Sequence, residues 1–163
     1  MALALRGLGV PCVVLEKGAT VRSQGGDLGL WPSALECLAA LGIEEAEVRR
    51  WGAPVERGEV WSSRGHRLAA FPMGEVTQSS RAFHVVGREG LYAALAARLG
   101  ASVILGAQVT GFDQDAAGVR VTYRRGGTSG GRGGRQETVS GRALVGCDGI
   151  RSTVRACLPG GSR

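Results

Sequence analysis

An α/β fold is what this 163-residue sequence predicts, and three observations carry that expectation. The chain opens on "MALALRGLGVPCVVLEKG", a helix, a turn, a strand and an acid in succession. Two later segments, "WPSALECLAALG" and "GREGLYAALAARLG", carry leucines at helical spacing. From Ser102 onward, short alternating runs read as strands, and the last of them, "ALVGCDG", enters a glycine turn ahead of another helix.

Taken in order, Ala2 to Leu5 read as the end of an apolar helix that Gly7 and Gly9 stop, and Cys12 to Leu15 as a short buried strand closed by Glu16. In a dinucleotide-binding βαβ unit this is the second half of the motif. The first strand and its GxGxxG turn precede the helix, and the acid accepts hydrogen bonds from a ribose. Roughly 20 residues separate that glycine turn from the acid, so the expected domain lacks its first strand and glycine turn. After a polar, glycine-rich stretch, Pro32 suits the first turn of a helix with Leu35, Leu38 and Leu41 on one face and Gly42 as its stop. Residues 58–63 and 66–71 flank Arg64-Gly65 as a hairpin, and "RAFHVV" is a further strand. The next helix carries Leu91, Leu95 and Leu99 in one stripe, with Gly100 as its cap. "SVILG", "QVTGFDQ", "GVRVTYR" and "QETVSG" then alternate as strands with a tight turn at 115–118, which predicts a β-meander. "ALVGCDG" reads as a buried strand and "IRSTVRACL" as the helix it feeds.

The composition, 44% hydrophobic with mean hydropathy +0.03, belongs to soluble globular chains. Twenty-eight glycines exceed the usual ~7% and imply loop, much of it in "RRGGTSGGRGGRQE". Arginines 120, 124, 125, 132, 135 and 142 face one acid, Glu137, and supply +5 of the formal charge of +6. The basic character therefore describes one segment and not a face of the fold. Cys12, Cys37, Cys147 and Cys157 form no CxxC, so buried free thiols in a reducing compartment, cytoplasm or plastid, are expected rather than zinc or disulfides. No apolar run approaches the ~18 residues of a membrane span, and the opening is too short for a signal peptide. His66 and His84 lack metal-ligating neighbours, so no metal is expected, and no serine sits in a GxSxG elbow. The Gly/Arg loop is similar to RNA-binding RGG segments but has no aromatic residue for stacking, so it reads as a loop inserted in a hairpin and no nucleic acid is expected.

Three positions carry possible chemistry. Glu16 stands where a ribose-binding acid belongs, although any strand can end on a surface acid. Arg88 begins a helix, where a cation is mildly disfavoured unless it pairs an anion or is solvated. Asp148-Gly149 is a common turn dipeptide, but between a strand and a helix it puts a carboxylate and free backbone N–H groups at one crevice.

"VVLEK", "GGDLGLWPSALECLAALGI", "VGREGLYAALAARL" and "ALVGCDGIRSTVR" together resemble the FAD-dependent aromatic hydroxylases, the p-hydroxybenzoate hydroxylase-like flavoprotein monooxygenases, nearest in flavour to the plant and algal zeaxanthin-epoxidase-like group. The four segments stand in family order and span nearly the whole chain. The resemblance implies an FAD-binding Rossmann-type domain in residues 1–53 and 87–163, with a β-meander at 107–142 and an Asp-Gly motif at 147–155. Residues 54–86 would be part of a substrate-side β-sheet. It implies that Glu16 binds the adenosine ribose with Lys17 near the adenosine, that Arg88 reaches the ribityl-pyrophosphate side of the flavin, and that the backbone around Val109 borders the adenine. Asp148 and Gly149 would contact FAD and the reduced nicotinamide, NADPH or NADH. The implied activity is hydroxylation or epoxidation of a small organic substrate by O2. The family's N-terminal glycine turn and later Gly-Asp motif are not in this chain, which is then expected to be inactive alone. The alternatives are a non-functional fragment of such an enzyme, another flavin oxidoreductase such as a halogenase or reductase, and an RNA-binding module.

Overall fold

The computed structural model describes residues 1–21, 25–126, 134–158 and 160. The chain divides into two compact units, Met1–Cys12 with Arg22–Gly100, and Val13–Val21 with Ala101–Arg163.

The first unit is built on a three-stranded antiparallel sheet in which β6 (Phe83–Gly87) lies between β2 (Asp27–Leu30) and β3 (Gly52–Val55). Its core joins Leu30 and Val86 of that sheet to Leu35 and Leu38 of α2 (Pro32–Ala40), Ile43, Val48 of α3 (Glu45–Val48) and Leu91 of α5 (Arg88–Leu99). Each such side chain contributes about 1.5–3 kcal/mol on burial. Helix α2 begins with Pro32 in its first turn, as expected. It ends in a Schellman turn: Gly42, at φ +78°, donates its N–H to Ala39 O, and Ile43 donates to Leu38 O, both at 2.9 Å. That turn delivers Ile43, which is wholly buried, into the core.

Gly52 sets the spacing of β3 on β6, because a Cβ there would overlap the Val85 carbonyl oxygen. Helix α1 (Ala2–Gly7) docks on the end of α5, where Arg6 donates to the Arg98 and Leu99 carbonyls at 2.8 and 2.9 Å. These are carbonyls that a helix C-terminus leaves without partners of its own. Arg98 in turn ties α5 to Glu47 at 2.7 Å and to the Gly42 carbonyl at 2.9 Å. The expected hairpin forms from β4 (Arg57–Trp61) and β5 (Arg67–Pro72), turning through Gly65 at φ +78°. Helix α4 (Met73–Thr77) follows it. His84 is fully buried in β6, with Nδ1 3.1 Å from the Ala82 carbonyl and Nε2 3.7 Å from Glu45, while His66 is exposed.

In the second unit β1 (Val14–Glu16) runs parallel to β7 (Val103–Leu105), and β8 (Ala107–Asp115), β9 (Gly118–Arg125) and β10 (Arg135–Gly141) form the expected meander. Asp115 makes the tight turn by accepting from the Ala117 and Gly118 N–H groups at 2.8 and 3.1 Å. Ala107, Val119, Val121 and Tyr123 are buried on one face of the meander. The Gly/Arg loop at 127–133 lies outside the described residues.

Three expectations need correction. "ALVGCDG" is not a buried strand: 143–149 joins no sheet among the described residues and is largely exposed, Val145 by 53%. Apolar composition makes a strand only where a neighbour takes up the backbone hydrogen bonds, and none does here. The thiols are free, but Cys37, Cys147 and Cys157 are exposed and only Cys12 is half-buried. Helix α6 (Thr153–Cys157) starts later than "IRSTVRACL" suggests, because Ser152 is its N-cap.

Candidate functional site

Glu16 ends β1 at the carboxyl end of the parallel β1–β7 pair, the side on which open α/β sheets bind ligands. It is half-buried, and its Oε1 accepts from the Gly18 N–H at 2.6 Å, which folds the following loop back over the strand end. The Gly18 carbonyl accepts from Gly106 at 2.9 Å and fastens that loop to the residue after β7. Lys17 is exposed at the turn. Val109 is half-buried in β8, a strand that neighbours β1, and it sits where the β8–β9 register shifts between Val109 and Gly111. Such a bulge re-aims the backbone locally.

Asp148 is exposed, yet both of its carboxylate oxygens are engaged within the turn. Ser152 donates its hydroxyl to Oδ1 at 2.5 Å and the Val154 N–H donates to Oδ2 at 3.1 Å. Partial desolvation pushes the Asp148 carboxyl up, but hydrogen bonds from Ser152 and from the backbone N–H groups of Val154, Asp148 and Thr153 together outweigh it and hold the group below its ordinary value. Ser152 is itself buried and accepts from the Arg155 N–H at 2.9 Å. Gly149, at φ +80°, supplies the left-handed residue that bends the chain between Asp148 and this cap.

Arg88 belongs to the first unit, where it is the first residue of α5 after the N-cap Gly87. Its Nε is buried with no hydrogen-bond partner among the described residues. Its guanidinium lies against Gly25, where a Cβ would stand 3.5 Å from Nη1 and where φ is +132°. A buried guanidinium edge left unmatched is costly, and it fits an anionic group.

Glu16 and Lys17 thus share one loop, Val109 lies on the strand beside β1, and Asp148 and Gly149 belong to the same compact unit, whereas Arg88 is in the other. Sequence reasoning missed Ser152, Gly18 and Gly25. Ser152 had a signal, a serine directly ahead of a short apolar helix; the two glycines had none beyond their type.

A β-meander beside a parallel strand pair that ends on an acid, with a capped Asp-Gly turn, defines a nucleotide-binding α/β protein. The chain belongs to the FAD binding domain family, whose model matches residues 1–162. It is 32% identical to the FAD-dependent monooxygenase pynG of Aspergillus niger, over 97% of this chain and 35% of that protein. It is also 32% identical to the phenazine 1,6-dicarboxylic acid hydroxylase PhzS of Lysobacter antibioticus, over 96% of this chain and 39% of that protein. Among solved structures, Klebsiella pneumoniae HpxO complexed with FAD and uric acid matches 95% of this chain and 37% of its own, with a TM-score of 0.73 and 28% identity. The chain spans little more than a third of the length of these relatives. Neither the two relatives nor this structure is a zeaxanthin epoxidase. The fold is the FAD-binding α/β fold of the flavin hydroxylases, and FAD is the cofactor of this family. Among the described residues no helix is long and apolar enough to cross a membrane.

Proposed function

We propose that the chain is the FAD-binding part of a flavin-dependent monooxygenase that uses NADPH or NADH and O2 to hydroxylate or epoxidise a small organic substrate. FAD supplies the redox and oxygen-activating chemistry when bound; the chain's own residues bind and orient it. Glu16 accepts hydrogen bonds from the adenosine ribose through its oxygen not taken by Gly18, with Lys17 beside it and the Val109 backbone along the adenine. Arg88 pairs the ribityl-pyrophosphate side. Asp148 shapes the turn through which Gly149 and its neighbours meet the flavin and the nicotinamide. Residues 54–86 supply part of the substrate-side sheet, and 1–53 with 87–163 the FAD-binding domain. A reducing compartment, cytoplasm or plastid, is supported by four free thiols of which three are exposed.

The observation that carries this reading furthest is the buried Nε of Arg88, which has no hydrogen-bond partner among the described residues. A charge-assisted hydrogen bond contributes roughly 1.5–3 kcal/mol, so Arg88→Ala in the full-length protein is expected to weaken FAD binding by about 10- to 150-fold. Flavin fluorescence titration of the apoprotein measures it. Wild-type affinity and flavin content in Arg88→Ala would remove Arg88 from the site.

A further inference from the structure

We propose that Trp51 is a positioning residue for Arg88 and holds the first turn of α5 on both sides of that arginine; its consequence for the cofactor rests on the reading that Arg88 meets FAD. The Trp51 carbonyl accepts from the N–H of Gly87, the residue before Arg88, at 2.9 Å. The Trp51 indole lies against Gly90, two residues after Arg88, where a Cβ would overlap Cδ1 and stand 2.6 Å from Cγ. Both contacts fall within the first compact unit, in which Trp51 is half-buried and packs against the core.

Trp51 is itself anchored. Its N–H donates to the carbonyl of the wholly buried Val48 at 3.0 Å, and the residue after it is Gly52, seated on Val85 of β6. Gly90 belongs to α5 and has no positive φ, so its backbone does not call for glycine. Glycine also weakens a helix relative to alanine. What keeps a side chain out of that position is the indole. Among the described residues no hydrogen bond holds Nε of Arg88, so the direction in which this side chain leaves the helix depends on the turn that carries it. Trp51 fixes that turn by one backbone hydrogen bond and one ring.

The test uses the full-length protein and the variants Gly90→Ala, Trp51→Phe and Trp51→Ala, each alone and combined with Arg88→Ala. FAD affinity is read by fluorescence titration of the apoprotein. Water exchange of the Arg88 Nε–H is read by proton–nitrogen NMR of the flavin-free protein, the resonance being assigned by its loss in Arg88→Ala. Gly90→Ala and Trp51→Ala are each expected to weaken FAD binding by roughly fivefold or more and to speed that exchange by roughly tenfold or more. Trp51→Phe, which keeps a ring, is expected to preserve most of both, and Gly90→Ala to add nothing in the Trp51→Ala background. In the Arg88→Ala background neither change lowers FAD affinity further, which separates the positioning of Arg88 from a general loss of fold. Faster exchange in the Trp51 and Gly90 variants together with wild-type FAD affinity in Arg88→Ala keeps Trp51 as the residue that positions Arg88 and removes Arg88 from the flavin site. Wild-type exchange in both Gly90→Ala and Trp51→Ala, or FAD losses that recur in full on top of that of Arg88→Ala, overturns the proposal.

Discussion

Asp148 is held by its own turn, with Ser152 and the Val154 N–H occupying its two oxygens, and this defines what substitution there does. These hydrogen bonds outweigh desolvation and hold its carboxyl below the ordinary aspartate value. A depressed acid stabilises the fold above its unfolded value, and that contribution is lost as pH falls from there through the lower folded value. The Asp148 side-chain carbonyl, followed by carbon NMR, is therefore expected to titrate below 3.8 in the wild type, and closer to that ordinary value in Ser152→Ala, which removes the hydroxyl donor. Loss of the Ser152 cap costs about 0.5–2 kcal/mol, read by urea unfolding. Asp148→Ala is expected to lower flavin retention by releasing the turn rather than by deleting a direct ligand. A titration midpoint at or above 3.8 in the wild type defeats this account.

Among the elements, the β9–β10 hairpin carries a pH response of opposite sense. Tyr123 donates to Glu137, and that hydrogen bond, with desolvation and the negative charge of Glu137, raises the Tyr123 hydroxyl above 10.0 against a smaller opposing pull from Arg125. A raised value means stability that is complete below the unfolded value and lost as pH climbs through the folded one. The meander is expected to lose melting temperature above pH 10 in the wild type and to lose less in Tyr123→Phe, which has nothing to ionise; equal alkaline losses in calorimetry would rule this out. Elements whose signals are local were legible in the sequence: Pro32 and Gly42 bound α2, Gly100 caps α5, and Asp115 to Gly118 make their turn. Strands β2 and β3, "DLGL" and "GAPV", were not, because each is a strand only by pairing with β6. The five residues of α4 are too few to show a period, and "ALVGC" looked like a strand because composition is silent about partners. At the site, Glu16 and Asp148 were legible as acids at strand and turn positions, but the donors that occupy them, Gly18 and Ser152, depend on a fold-back that no spacing rule encodes.

At the scale of the molecule, hydrogen bonding among the described residues is unevenly completed. Among the described residues strand β1 pairs with β7 alone and 143–149 pairs with nothing, and Val13, Val145 and Ile150 are 51%, 53% and 87% exposed. Open strand edges with apolar flanks invite association. The 163-residue chain by itself is expected to melt broadly, to associate as its concentration rises, and to lose added FAD on gel filtration. Calorimetry and sedimentation velocity measure the first two, and a sharp transition in a yellow monomer would contradict all three.

The close seating of β3 on β6 at Gly52 has a genetic consequence. Every single-base missense change in a glycine codon introduces a residue with a Cβ, and at Gly52 that atom has the Val85 carbonyl in its way. The codon is therefore close to all-or-none: synonymous changes pass, and each missense change lifts β3 away from the central strand that continues into Arg88. Inherited variation at Gly52 then reaches the first turn of α5, where Arg88 stands, through the strand it displaces.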